Sequence, residues 1–260
     1  MDRAEGPGEM SSDGQMIGSI WGRVAPRNFH TQVIWSLGVG IVSGRYPEGA
    51  ALPGDAELQQ QLGVSRTVLR EALKTLSAKG LIEARAKIGT RVRPRQYWNL
   101  FDADVLAWHF EAGPDIDFLG SLAEVRLAIE PEAAAHAALR RTSQQAATML
   151  GWVDKMGNPD NTAQTFAQFD LEFHRVVADA SGNPFMRSIS ALVELALTAA
   201  FTISSPVSDR AAFDKTVGIH RNIAIAISNG DAEGARQSMR LAIQEGYERA
   251  KGAIPVHPAR

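Results

Sequence analysis

An aspartate and two histidines have the residue types and spacing of a metal site. Asp170 and His174 are four residues apart in a stretch with helical periodicity, so both side chains project from one helix face. His220 lies on a later predicted helix. Carboxylate and imidazole groups bind divalent metals, and the chain has no cysteine to offer instead. Zinc, or alternatively manganese or nickel, is the kind of ion that these three residues can bind, and by residue type and spacing alone the metal site stays one of two interpretations.

The sequence around this group is apolar, as suits a buried polar site: Phe166, Phe169, Phe173 and Val177. An aspartate and a histidine at this spacing are also common as a plain hydrogen-bonded pair within a core. That structural interpretation is the alternative to metal binding.

A second group has the chemistry of a helix that reads DNA. Polar and basic side chains stand at its N-terminal end: Ser65, Arg66, Thr67 and Arg70. Apolar residues that would fix the helix on its domain follow the helical period: Val68, Leu69, Leu73 and Leu76. Arginine can donate two hydrogen bonds to guanine, so Arg66 and Arg70 are candidates for base readout. Ser65 and Thr67 suit phosphate contacts.

The charge distribution favours the same half of the molecule. Residues 65–95 contain nine basic and two acidic residues, although the whole chain has a net charge of only −2. Such a segment suits a phosphate-facing surface. Lys87 and Gly89, at the tip of a predicted hairpin, are candidates for a groove or backbone contact. The alternative is a solvated charged face without a nucleic-acid partner.

The elements that position the basic residues follow from periodicity and caps. The predicted order is three helices and a hairpin: 29–43, 55–62, 65–79, 81–85 and 90–93. Ser65 and Asp55 have the residue types of N-caps. This order predicts a winged helix-turn-helix over residues 27–95, preceded by a mobile tail at 1–26.

Strand signals end after Tyr97, and long helical periods follow at 102–112, 116–140, 144–156, 162–181, 185–204, 209–229 and 232–251. They predict a mainly α protein whose second domain, residues 115–251, is an all-helical bundle. Residues 96–114 are expected to be a linker with a hinge helix, and 252–260 a tail.

Composition agrees with an ordinary globular protein of two domains. The chain has 260 residues, of which 45% are hydrophobic and 22% charged. No apolar run reaches the roughly 20 residues of a membrane span. The N-terminal segment lacks a secretion signal, and with no cysteine the expected location is the cytoplasm.

Four stretches resemble the DNA-binding domain of the GntR family of bacterial regulators: residues 52–58, 63–73, 80–83 and 89–92. The resemblance covers residues 29–95 and implies operator binding. By it, the polar and basic residues named above fall on operator-contacting positions, and Lys87 and Gly89 on the wing. Ala56 departs from the family, because many members carry there an arginine that contacts DNA.

Residues 115–250 resemble the ligand-binding domain of the fatty-acid-regulator (FCD) subgroup of GntR proteins. The matching positions include Glu124, Arg126, Glu130, Phe169, Asp170, Phe173, His174, 181–184, His220, Ala224, Ile227, Asp231, Ala235 and Met239. The resemblance implies a metal at Asp170, His174 and His220. Many members have a fourth ligand, a histidine, and this chain has Ala242 in its place.

Arg126 is the candidate for binding an acidic effector, because guanidinium binds carboxylate in a bidentate fashion. The alternative is a surface or interdomain ion pair with Glu130, four residues on. A shorter signature at 95–99 and 102–108 resembles the galactonate-responsive repressors and other regulators of sugar-acid catabolism. Trp98 and Trp108 within it also suit a packed hinge.

These observations predict a homodimeric repressor that a small carboxylate, a sugar acid, releases from a palindromic operator. Two alternatives stay open. The helical domain can be a metal-free dimerisation module, which Ala242 favours. The three metal-binding residues can instead belong to a hydrolase, but the sequence has no further catalytic motif, and we expect no enzymatic activity.

Overall fold

The computed structural model describes residues 28–85, 89–113, 116–190 and 205–253. The chain divides into two compact units, one ending at Arg95 and the other beginning at Gln96. We call them the winged unit and the helical unit. In the described ranges no helix has the length and apolar character that a membrane span requires.

From residue 28 onward, the described part of the winged unit has three helices followed by a two-stranded sheet: α1 (Phe29–Val42), α2 (Asp55–Leu62), α3 (Arg66–Ala78), β1 (Ile82–Arg85) and β2 (Gly89–Val92). α1 packs on α3 and buries Leu37 and Ile41, while α3 buries Leu69 and Leu76. This apolar contact holds α3 on the unit and leaves its other face to solvent. The order is that of a winged helix-turn-helix, as predicted.

The turn between α2 and α3 depends on one glycine. Gly63 ends α2 with a φ of 64°, a left-handed conformation that glycine adopts without steric cost. The Ser65 hydroxyl then accepts a hydrogen bond from the Val68 N–H and caps α3. The predicted cap of α2 is wrong, since Gly54 occupies that position. Asp55 is the first helical residue, where its charge interacts favourably with the helix dipole.

The wing is held by a third segment of chain. β1 and β2 pair antiparallel, with Ile82 opposite Val92. Val92 N–H donates to the Ala50 carbonyl at 3.0 Å, and Leu52 N–H donates to the Thr90 carbonyl at 2.9 Å. The loop before α2 therefore fixes the base of the wing.

Six helices of the helical unit have both ends within the described residues: α4 (Ala103–Glu111), α5 (Ile116–Arg140), α6 (Ser143–Met156), α7 (Ala163–Ala180), α8 (Arg210–Asn229) and α9 (Ala232–Ala253). Residues 184–190 are also helical. The rest of the helix predicted at 185–204 lies outside the described residues. The mainly α prediction is confirmed.

The core of the helical unit lies between α5, α6, α7, α8 and α9. Its fully buried members include Met149, Val153, Met156, Phe173, Ile223, Ile227 and Met239. Along α5 the buried residues in the core are small, Ala134, Ala137 and Ala138. Small side chains let neighbouring helices approach closely. Glu130 lies about one helical turn before Ala134 on α5, and Arg126 lies about two turns before it.

Substitution of Met149 by alanine should lower the free energy of unfolding of the helical unit by about 2–5 kcal/mol, because the fully buried side chain leaves a cavity. Leu139→Ala is the control, since Leu139 is 65% exposed and should change stability by less than about 0.5 kcal/mol. Urea unfolding followed by circular dichroism, at one protein concentration, measures both. Equal effects of the two substitutions would contradict this core.

Candidate nucleic-acid interface and metal centre

The residues predicted to contact DNA lie together at the N-terminal end of α3. Ser65, Arg66, Thr67 and Arg70 are all exposed. Neither Arg66 nor Arg70 forms an ion pair with an acidic side chain in the described part of the chain. Their donors are therefore available to a ligand outside the molecule, as base readout requires.

Three other basic side chains of residues 65–95 contact groups within the winged unit. Lys74 bonds Glu71 at 2.8 Å and holds the pKa of that carboxyl below its ordinary value. Arg85 pairs with Glu83, and the Arg91 guanidinium donates to the Gly49 carbonyl at 2.7 Å. The excess of nine basic over two acidic residues already counts Glu71 and Glu83, so these contacts orient side chains without lowering that excess.

The glycine at the wing tip is required by the backbone conformation there. Gly89 is exposed and has a φ of 93°, a conformation in which an L side chain is strained. The glycine is thus needed by the backbone whether or not the wing meets DNA. Lys87, the other predicted wing contact, lies outside the described residues.

The three predicted metal ligands come together inside the helical unit. Asp170 and His174 project from one face of α7, and His220 reaches the same point from α8. All three are buried, and one donor atom from each lies within 4.8 Å of the others. We call Asp170, His174 and His220 the metal triad.

The hydrogen bonding of His220 fixes which ring nitrogen faces the triad. Nδ1 lies 2.8 Å from the Thr216 carbonyl oxygen. A carbonyl can only accept, so Nδ1 carries the hydrogen, and Nε2 of a neutral ring keeps a lone pair. Nε2 lies 2.7 Å from Oδ1 of Asp170, yet neither atom has a hydrogen-bond partner among the described residues.

Asp170 is held in its ionised form. Burial raises the pKa of Asp170, but attraction to His220, His174 and Arg126 outweighs burial and leaves this pKa below its ordinary value. An ionised carboxylate can only accept hydrogen bonds. If the His220 ring is neutral, two buried acceptor atoms face each other at contact distance, and the contact then needs a cation: either a hydrogen on Nε2, which makes the ring an imidazolium that donates to Oδ1, or a bound metal ion.

Glu130 connects the triad to Arg126. Its Oε1 accepts from the Arg126 Nε at 2.5 Å, and its Oε2 lies 3.1 Å from both Arg126 Nη2 and His174 Nδ1. Burial alone would raise the pKa of Glu130, but Arg126 and His174 lower it to about 2. A carboxylate beside Nδ1 favours the tautomer that leaves Nε2 of His174 free for a metal.

The structure changes the predicted role of Arg126. The Glu130 pair exists, but it is buried within the helical unit and not on a surface. One edge of the guanidinium is occupied by this bidentate pair, so Arg126 supports the site from behind Glu130 as well as lining the cavity. Sequence reasoning did not identify Glu130 as a neighbour of the triad.

A second arginine in the cavity was also missed. Arg249 on α9 lines the same cavity as Arg126 and the triad, and its buried Nε lacks a hydrogen-bond partner within the described ranges. Burial lowers the pKa of Arg249, with a partial offset from Asp170 and Glu245. The available signal was its spacing, since Ala242, Gly246 and Arg249 fall on one helix face.

Ala242, where the resemblance implied a fourth ligand, also lines the cavity, and its methyl group cannot bind a metal. The triad nevertheless suits a divalent ion. It is buried, it combines carboxylate and imidazole donors, and it contains atoms with no other partner. Asp170, His174 and His220 would hold such an ion, which would supply positive charge and open positions for a further ligand.

A winged helix-turn-helix joined to a helical ligand-binding domain defines a class of transcription regulators. Residues 30–92 match the bacterial regulatory proteins of the gntR family, and residues 121–245 match the FCD domain. The chain belongs to the gntR family and carries an FCD domain. It is a DNA-binding transcription regulator.

Two relatives from Escherichia coli (strain K12) cover most of the chain. The galactonate operon transcriptional repressor is 31% identical over 85% of this chain and 96% of its own length. The uncharacterised HTH-type regulator YieP is 32% identical over 81% and 90%. A solved structure of Lar from Listeria monocytogenes shares the fold, with a TM-score of 0.61 at 18% identity over 88% of this chain and 99% of that one.

Glu130→Gln should weaken zinc binding by about 10- to 100-fold, because the amide no longer provides the charge that orients His174. Glu132→Gln is the matched control on the same helix, where the carboxylate pairs with Arg236 outside the triad. Competition with a chromophoric chelator gives both affinities, and circular dichroism checks that each variant is folded. Identical zinc affinity in the two variants would show that Glu130 does not support zinc binding.

Arg70→Ala should reduce affinity for operator DNA by about 1–3 kcal/mol, and more for the matching sequence than for random DNA, because base contacts carry specificity. Arg210→Ala, which removes the same charge from the helical unit, is the control. Fluorescence anisotropy on duplexes selected by the wild-type protein makes the measurement. If affinity falls equally for matching and random DNA, Arg70 contacts phosphates and does not read bases.

Proposed function

We propose that this protein is a repressor that binds its operator as a homodimer and is released by a small carboxylate, a sugar acid, bound at the metal triad. The observation that carries the proposal is the meeting of Asp170, His174 and His220 in a cavity that Arg249 also lines, where Asp170 Oδ1 and His220 Nε2 have no hydrogen-bond partner among the described residues. A metal and an anion would together satisfy these groups.

The charges of the site favour a bound cation first. Asp170 and Glu130 are both ionised and buried, while Arg126 supplies one positive charge that is committed to Glu130. A buried carboxylate without a full counter-charge is costly. Zinc suits this donor set, and manganese or nickel are the alternatives.

With a metal bound, the cavity would be lined by several cations, and these favour an effector that carries a negative charge. Arg249 offers an unpartnered Nε, and Arg126 lines the same space. Guanidinium groups bind carboxylates through charge-assisted hydrogen bonds. The sugar-acid class is supported by the name of one relative, the galactonate operon repressor, and by the junction signature at 95–108.

Release from DNA requires that the effector bind one dimer geometry better than another. Two winged units on a palindrome must present their α3 helices at the spacing of the half-sites. An effector that favours a different geometry of the helical units would lower operator affinity without contacting the DNA-binding residues.

Two other functions are less well supported. Catalysis by the triad would need a free base, but Glu130, the nearest further carboxylate, is bound to Arg126 through both oxygens. The relatives are transcription regulators and not enzymes. A metal-free dimerisation module would need a protonated His220 to join Nε2 to the buried Oδ1 of Asp170, and it would give the cavity with Arg249 no role.

Calorimetric titration of the zinc-loaded protein with a panel of sugar acids and simpler carboxylates tests the proposal. Selective binding should be lost in His174→Ala, which removes a metal donor, and weakened at least about tenfold in Arg249→Gln, which removes a charge-assisted bond. Arg221→Gln is the control, because Arg221 pairs with Asp154 on the surface.

The same acid should reduce operator affinity of the wild type and leave that of His174→Ala unchanged. A preparation that binds no metal and no acid, yet binds operator DNA, would replace the sensor by the dimerisation module. An acid that binds without changing operator affinity would contradict the inducer mechanism.

A further inference from the structure

The exposed side of α3 carries a line of positive charge that continues past the predicted DNA contacts. Arg66, Arg70 and Lys74 are all exposed, and each follows the one before it by four residues, so they lie along one line of the helix. The buried side of α3 lies opposite and holds the helix on the winged unit. Lys74 therefore extends the exposed charge by one turn beyond Arg70.

The distance of Lys74 from the start of α3 suits a phosphate contact. Lys74 comes eight residues after Arg66, which is about 12 Å along the helix axis. The major groove is only about 8.5 Å deep, so a helix whose N-terminal end meets the base edges carries residues at this distance to the rim of the groove. Phosphates line that rim, and the ammonium group of a lysine binds them as a point charge.

In the protein without DNA, Lys74 is bound to Glu71. Its Nζ lies 2.8 Å from Oε1, and the two side chains are 65% and 54% exposed. Glu71 is the one acidic residue in the sequence of α3. Lys74 lowers the pKa of its carboxyl most, and Arg70 and His30 add to the effect. An ionised carboxylate therefore lies among the cations of the face that would meet DNA.

We propose that Lys74 is a further DNA contact and that Glu71 competes with the DNA for it, so that Lys74 leaves Glu71 and binds a backbone phosphate in the complex. An exposed pair of flexible side chains is weak, whereas a duplex presents an array of phosphates whose counterions are released on binding. The exchange is therefore favourable, and the pair lowers affinity for all sequences alike. The inference uses only DNA binding by the winged unit and does not depend on the dimer, the metal or the effector.

The salt dependence of DNA binding tests the phosphate contact. For each chain bound, Lys74→Gln should reduce the slope of log K against log salt concentration by about 0.9, equally on duplexes selected by the wild-type protein and on random duplexes. At about 0.1 M salt this lowers affinity by up to about eightfold. Arg175→Gln is the matched control, because Arg175 forms the same kind of exposed pair, with Glu172 on α7, and it should leave the slope unchanged.

Glu71→Gln tests the competition. The substitution frees Lys74 and should raise affinity for both kinds of duplex by about two- to fivefold, the range of an exposed ion pair. Made together with Lys74→Gln, it should give at most a small part of this gain, because no lysine is left to release. Glu172→Gln removes the same charge from the helical unit and should leave affinity unchanged. Circular dichroism and urea unfolding check that every variant is folded.

Three results would contradict the inference. An unchanged salt slope in Lys74→Gln would show that Lys74 does not contact phosphates. An equal gain from Glu71→Gln with and without Lys74 would show that Glu71 only repels DNA and does not compete for the lysine. A loss of affinity in Glu71→Gln that is confined to the matching duplex would make Glu71 a base contact, since a carboxylate can accept a hydrogen bond from cytosine.

Discussion

The contact between Asp170 and His220 is the constraint on which the helical unit depends. Oδ1 and Nε2 lie 2.7 Å apart in a buried setting, and each lacks a hydrogen-bond partner among the described residues. Folding must bring α7 and α8 together at this point, although two acceptors gain nothing from each other without a cation. The polar site therefore reduces the stability of the unit unless a hydrogen on His220 Nε2 or a bound metal ion supplies that cation, and a metal ion that binds the native state also stabilises it.

The surroundings of this contact offset part of its cost. Phe173 stands edge-on to both histidine rings, and apolar side chains from α6, α8 and α9 complete the core next to it. Glu130 contributes by holding Arg126 and approaching His174, so a carboxylate and a guanidinium that would each be costly alone are buried as a pair. The result is a rigid apolar frame around a few polar atoms, the usual design of a small-ligand site.

Much of this could be read from the sequence, because helical periods and caps are local signals. Ser65 was identified as a cap from its residue type and position, and the spacing of Asp170 and His174 placed both on one face. Glu130 and Arg249 could not be found that way, because their roles come from contacts between helices that are distant in sequence. The ion pair between Arg95 and Glu48 could not be found from the sequence for the same reason, since these residues lie far apart along the chain.

The site residues come from three different helices, and this bears on how the proposed effector could act. Asp170 and His174 share α7 and keep a fixed spacing, whereas Thr216 and His220 belong to α8 and Arg249 to α9. A ligand that contacts all three helices binds best when their spacing suits it, and so favours one arrangement of the bundle over others. A tenfold change in operator affinity needs a preference of only about 1.4 kcal/mol, which is the scale of one good hydrogen bond. A site built from three helices can therefore act as a switch even if each helix moves little.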